Sequence, residues 1–223
     1  MLTLLAKPMF LTIAFVVVFA LCGQSCAQIS STFDNDLDGW TLEGGSSRDL
    51  VFNSFSGNPA GSLRLFGSSP TTLELVAPTT FLGDLSVFDG GIFSFDGSNS
   101  ESFDSTLPSF GTITISGPAG TASRDIVEGG VSFPNFETYS TSLIASEWGV
   151  TQNTWDSIVS DVTRLTIDVS AQSGLVDIGI DNIEINAVPE PSSSLFLGLT
   201  ALMLGMRRRH PVSYTHLPSP RDS

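Results

Sequence analysis

The chain holds two histidines, two cysteines and a single lysine, and none of them falls between Gln28 and Glu190. That span therefore has no Ser-His-Asp or Cys-His nucleophilic system, no Schiff-base lysine and no zinc site of the usual His/Cys kind. It can form no disulfide either, because Cys22 and Cys26 both precede it. Basic charge is nearly missing: Arg48, Arg64, Arg124 and Arg164 stand against 22 Asp and Glu, a net charge of −18 over the span. Such a segment is repelled by nucleic acid and anionic surfaces and attracts divalent cations. Tyrosine is scarce, with Tyr139 alone in the span. No Gly-rich phosphate loop leads into a helix. Carboxylate-pair glycoside hydrolysis survives this elimination, since Asp and Glu are plentiful.

Long apolar runs are confined to the two ends. Lys7 precedes the almost unbroken apolar stretch Phe10 to Leu21, and Ser25 and Ala27 are the small residues before a cut. Residues 1–27 are thus expected to be a signal peptide, with a mature start near Gln28. An uncleaved anchor fits less well, because the run is short and ends in Gly23, Gln24 and Ser25. At the other end come Val188, Pro189, Glu190 and Pro191, three serines, the apolar run Leu195 to Met206, and Arg207, Arg208 and Arg209. The prolines fix φ and remove backbone donors, so this stretch is an extended spacer open to a processing enzyme. The apolar run has 12 residues, well short of the roughly 20 that a stable span needs. The arginines hold their end in the cytoplasm.

This order of motif, short span and Arg cluster (residues 188–210) resembles the PEP-CTERM sorting signal of Gram-negative bacteria. The resemblance implies an exosortase as processing partner. It also implies export, transient inner-membrane anchoring by a short C-terminal hydrophobic helix, and then a place at the cell surface, outer membrane or extracellular matrix. Residues 211–223 lack organisation, resemble translated adapter sequence and are read as a non-native tail.

The roughly 160 residues between the two signals suffice for one domain with a real core. Segments rich in β-branched and aromatic residues recur between Gly, Ser, Asn and Pro clusters: Ser62 to Phe66, Leu73 to Ala77, Gly91 to Phe95, Thr112 to Ser116, Leu165 to Val169 and Ile178 to Ile185. Their alternation has the period of half-buried strands. Only Gln152 to Val162 has helical spacing, with Trp155, Ile158, Val159 and Val162 on one side. The expected fold is all-β: a two-sheet antiparallel jelly-roll sandwich with one short helix. Pro59, Pro70, Pro78, Pro108, Pro118 and Pro134 belong in loops or at strand ends, because a central strand cannot spare the donor.

Several strings recur in a telling order: Phe33-Asp34, Asp38-Gly39-Trp40, Gly57-Asn58-Pro59-Ala60-Gly61, Phe81 to Ser86, Phe93 to Asp96, Trp148-Gly149 and Ile180-Asp181-Asn182-Ile183. Together they resemble, over about Ser31 to Asn186, the laminin B (domain IV) module and, more broadly, the galactose-binding-like sandwiches of carbohydrate-binding modules, so that residues 28–187 are expected to form one such domain. The resemblance implies a surface or matrix role without catalytic residues. Ala60 stands where such modules typically have a second glycine.

Two sites are expected. Asp34, Asp36 and Asp38 alternate before Gly39 like the start of a calcium loop, but the twelfth position is Gly45 rather than a bidentate Glu. The other reading is a solvated turn leading into the strand at Trp40. In galactose-binding-like sandwiches a structural Ca²⁺ often joins the first strand to the last, and Asp34 and Asp181 match those places. Among the aromatics, Trp148, between Glu147 and Gly149, is the best candidate for an exposed sugar platform. The expected function is that of an exported, non-enzymatic surface or matrix protein, linked to exopolysaccharide or surface glycans. A carbohydrate-binding module and a carboxylate-pair glycosidase stand as alternatives.

Overall fold

Alternation along the chain becomes alternation across two sheets. The computed structural model describes residues 26–44, 48–69, 73–99, 109–127, 135–170 and 174–188, which all belong to one unit. Nearly all of the expected signal peptide lies outside these residues. So do Pro189, Glu190, Pro191, the apolar run and Arg207, Arg208 and Arg209. Among the described residues no helix is long and apolar enough to cross a membrane.

Strands β1 (Gln28–Ser31), β3 (Arg48–Asn53), β4 (Ser62–Ser69), β6 (Ile92–Asn99), β9 (Glu137–Ser142) and β11 (Gly174–Asn186) form a six-stranded sheet. Its order is β3-β4-β11-β6-β9, with β1 also paired to β11. Strands β2 (Thr41–Glu43), β5 (Glu74–Val76), β7 (Thr112–Gly117), β8 (Gly120–Asp125) and β10 (Arg164–Asp168) form a five-stranded sheet in the order β2-β5-β10-β7-β8. Every pairing is antiparallel. From β4 to β7, and again from β8 to β11, the chain changes sheet at each step. This is the winding of the expected jelly-roll sandwich.

The core fills the space between the sheets. Leu63, Leu65, Phe93, Phe95, Ile178, Ile180, Ile183 and Ile185 enter it from the larger sheet, and Leu75, Ile113, Ile115, Leu165 and Ile167 from the smaller. Each side chain so buried is worth about 1.5–3 kcal/mol relative to exposure. The four isoleucines of β11 lie on both sides of a break. A strict two-residue period would put Ile183 and Ile185 on the face opposite Ile178 and Ile180. A register shift between Asp181 and Glu184, with Asn182 at φ 47°, returns them to the core. At this same point β11 exchanges neighbours, from β4 along Gly174–Ile180 to β1 along Ile183–Asn186.

Helix α1 (Gln152–Val159) covers one end. Thr151 caps it by accepting from the Thr154 N–H at 3.3 Å, and Trp155, Ile158 and Val159 face inward. It is shorter than the spacing predicts, because Val162 leaves it to bridge Gly83. Pro59, Pro78 and Pro118 lie outside strands, while Pro70, Pro108 and Pro134 fall outside the described residues.

Candidate functional site

The side chains that alternate with the core residues of the larger sheet build a groove on its outer face. Asn53 pairs with Ser62, Arg64 with Gly179, and Gly179 with Ser98, so these residues sit side by side across β3, β4, β11 and β6. With Ser56 and Asp177 they line a depression of about 290 Å³. Gly179 is its floor. A Cβ there would lie 2.6 Å from both Phe136 Cζ and Ser98 Oγ, so only glycine leaves room beneath the Phe136 ring.

The lining is rich in hydrogen-bonding groups. Arg64 donates from Nε and Nη2 to the two carboxylate oxygens of Asp177, each at 2.6 Å. Its guanidinium lies 5.2 Å from the centroid of the Phe66 ring, and the bond to Asp177 raises its pKa further. Arg64 is thereby held flat along the groove as a fixed cation with spare N–H groups. The Ser62 hydroxyl is buried and has no partner among the described residues. A buried hydroxyl left so costs roughly 1–3 kcal/mol. Since both Asp177 oxygens accept from Arg64, this carboxylate is poorly placed to act as a general acid or base.

A pinned loop forms the rim. Residues 54–61 join β3 to β4, and the Phe55 N–H donates to Asn53 Oδ1 at 3.0 Å while the Gly61 N–H donates to the Ser56 carbonyl at 2.9 Å. The Asn58 N–H donates to Asp181 Oδ2 at 2.6 Å, and Asn182 Nδ2 donates to the Asn58 carbonyl. Gly61, at φ 126°, packs its backbone on Phe33, where an added Cβ would meet the Phe33 carbonyl oxygen at 2.6 Å. The string Gly57-Asn58-Pro59-Ala60-Gly61 is thus the part of the loop that docks on the first and last strands.

Of the acidic residues singled out in the sequence, only Asp34 lies near enough to Asp181 for its charge to act on it. Asp181 is fully buried, and burial pushes its carboxyl above the usual carboxylate range. N–H bonds from Asn58 and Asn182 oppose that rise, while the charges of Asp96 and Asp34 add to it. Asp36 and Asp38 serve their own turn instead. Asp36 Oδ1 accepts from the Asp38 N–H at 2.7 Å, and Asp38 Oδ2 from the Phe33 N–H at 3.1 Å. Among the described residues no group of three or more His, Cys, Asp and Glu is placed to hold a metal ion. Asp181 spends its two oxygens on the N–H groups of Asn58 and Asn182, and Asp96 accepts from Thr138 and Asn182. The Asp34–Gly39 stretch is a hydrogen-bonded turn.

Asp96 escaped the sequence reading. Its only signal was a carboxylate at an outward position of β6, opposite Asp181 in the register.

Trp148 is corrected by its burial. The ring is 3 % exposed, packs on Trp155 with centroids 5.3 Å apart, and donates from Nε1 to the Ser142 carbonyl at 3.0 Å. It is a core ring rather than a sugar platform. Flanking residues such as Glu147 and Gly149 say that a turn is near the surface, but not which way its tryptophan points. Trp40 and Trp155 are buried in the same way, donating to Ser31 and Asp89.

Neither a protein-family model nor a curated protein matches the sequence. Solved structures do match the fold. The L4b domain of human laminin α-2 superposes with a TM-score of 0.57 at 12% identity, over 74% of this chain and 99% of that one. A family 30 carbohydrate-binding module of a cellulosomal cellulase of Clostridium thermocellum gives 0.53 at 14% identity, over 74% and 99%. Another family 30 module gives 0.52 at 15% identity, over 76% and 93%. At such identities the likeness shows the fold, and that fold is the β-sandwich shared by laminin L4 and carbohydrate-binding modules.

Proposed function

We propose that the sandwich is a non-catalytic module that binds polysaccharide in the groove on its six-stranded sheet, as part of an exported surface or matrix protein. The carrying observation is the groove itself, where Asn53, Ser56, Arg64 and Ser98 converge on one face of the sheet and Arg64 is held as a fixed hydrogen-bond donor. Sugars present dense hydroxyls to such a surface, with apolar faces for rings such as Phe136. The charge of the span favours an uncharged glycan, because an anionic polymer meets a strongly acidic domain. Modules of this fold attached to a cellulase support β-linked glucan as the first class to test.

Export and processing form the second part of the proposal. The signal peptide delivers the chain, the short apolar run retains it, and an exosortase cuts near Val188 to Pro191. The sequence motifs support this route. Intact-mass measurement of protein from a host with an exosortase tests it, and a mass that keeps the apolar run overturns it.

For the binding function, the exported protein is applied to a glycan array and retained glycans are then assayed for turnover. Selective retention without turnover, lost in Arg64→Ala, is the expected result. Turnover that disappears on changing one Asp or Glu would make the protein a glycosidase instead.

A further inference from the structure

We infer that Phe55 is a stacking platform at the end of the groove, so that the site takes a stretch of several sugars from within a chain rather than a single terminal sugar. This rests on the reading of the groove as a glycan site. Phe55 is 95% exposed, more than any other large apolar side chain among the described residues. Full exposure of such a ring contributes no burial to the fold and leaves its face open to a ligand. It is not a loose loop tip. The Phe55 N–H is held by Asn53 Oδ1, and the next residue, Ser56, fixes the loop by accepting from Gly61. Asn53 and Ser56 both line the groove, so Phe55 lies between two groove residues along the chain, on backbone that they anchor. Asp181 and Asn182 hold the middle of the same loop at Asn58.

Phe55 itself lies outside the lining. A ligand that reaches both Arg64 and this ring must therefore extend along the groove and past its rim. The hydroxyls of one sugar are read on the floor, and the apolar face of a later sugar lies on the ring. Phenylalanine suits this use, because it offers a flat apolar face on two rotatable bonds and needs no hydrogen-bond partner of its own.

The test titrates the exported protein with glucose and with a β-linked glucose hexasaccharide, using calorimetry and ligand-observed NMR. The parent is expected to bind the hexasaccharide more tightly. Phe55→Ala is expected to weaken hexasaccharide binding by about tenfold and to leave glucose binding unchanged, while Phe55→Trp restores the parent affinity. Because the ring is so exposed, Phe55→Ala keeps the parent melting temperature, which excludes unfolding as the cause. Hexasaccharide binding that is equal in parent and Phe55→Ala, yet lost in Arg64→Ala, overturns the role of Phe55 and leaves the groove as the glycan site. If neither probe binds the parent, the β-glucan reading falls, and the inference falls with it.

Discussion

Arg64 and Asp177 are joined across β4 and β11 by two parallel hydrogen bonds of 2.6 Å, on the face of the sheet turned away from the core. The pair is only partly shielded, with side-chain exposures of 40% and 26%, so solvent screens much of its attraction. Its main effect is positional. It fixes a planar cation, backed by Phe66, along the wall of the groove. Arg64→Ala is expected to lower stability by about 1 kcal/mol or less, read by urea denaturation, and to abolish glycan retention on the array. Arg64→Lys keeps the charge but cannot grip both oxygens at once, so it is expected to retain stability and lose most of the binding.

Trp148 behaves in the opposite way. Its ring packs on Trp155 beneath helix α1 and its Nε1 bonds to Ser142, so truncation opens a cavity and strands a carbonyl. Trp148→Ala is expected to cost about 3–5 kcal/mol, and to reduce binding only in proportion to the fraction unfolded. Trp148→Phe keeps most of the packing and forfeits one hydrogen bond, about 1 kcal/mol. Urea denaturation of the two variants beside the parent checks both values. A folded Trp148→Ala protein with selective loss of binding would restore the ring as a ligand platform.

The fold was legible where burial imposed a pattern. Thr112 to Ser116, Leu165 to Val169 and the isoleucines of β11 alternate because one side of each strand fills the core. Strands β3, β8 and β9 were not read, and all three are sheet edges. Gly120–Asp125 and Glu137–Ser142 are mostly polar, so their sequences do not separate strand from loop. Edge strands of this kind are held by backbone pairing and keep exposed hydrogen-bonding groups polar. The site was harder still. Asn53, Ser62, Arg64, Ser98 and Asp177 come from four strands, and nothing in their spacing along the chain marks them as neighbours. Sugar platforms are usually tryptophan or tyrosine faces, so Phe55 carries no such signal in the sequence, and its exposure depends on a loop pinned by Asn53, Asp181 and Asn182.

Stability is expected to fall as pH rises from about 4, because Asp168 and Asp181 are both raised by burial. A carboxyl with a raised folded pKa binds its proton more readily in the native state. The stabilisation is therefore full below the unfolded pKa and is lost as pH climbs through the folded one. Glu43 and Asp84 are shifted down, by Arg164 and by Ser86, and they act at lower pH with the opposite sign. Melting temperatures taken at intervals from pH 4 to pH 7 check this. Asp181→Asn removes one of the two titrating groups and is expected to flatten the fall. A parent that grows more stable over that window would show that the carboxylate of Asp181 is better compensated than its burial implies.

The acidic end of the sandwich makes a last prediction, about cations. Asp34, Asp96 and Asp181 lie close enough for the first two to raise the third, so any cation relieves some repulsion there. Relief by a diffuse ion cloud depends on charge and ionic strength and hardly on ionic radius. A built calcium centre differs, because it needs six to eight oxygen ligands, whereas Mg²⁺ demands a tighter octahedron and sheds water reluctantly. The oxygens of Asp96 and Asp181 already accept from Asn58, Asn182 and Thr138. Ca²⁺ and Mg²⁺ at equal ionic strength are therefore expected to raise the melting temperature alike, and Asp34→Ala is expected to reduce both responses equally. A specific site filled at a hundredfold excess over Kd would add about 2.7 kcal/mol, or roughly 5–10 °C for a domain of this size. A rise of that scale with Ca²⁺ alone, removed by Asp181→Ala, would mean that these carboxylates exchange their N–H partners for an ion and tie the first strand to the last.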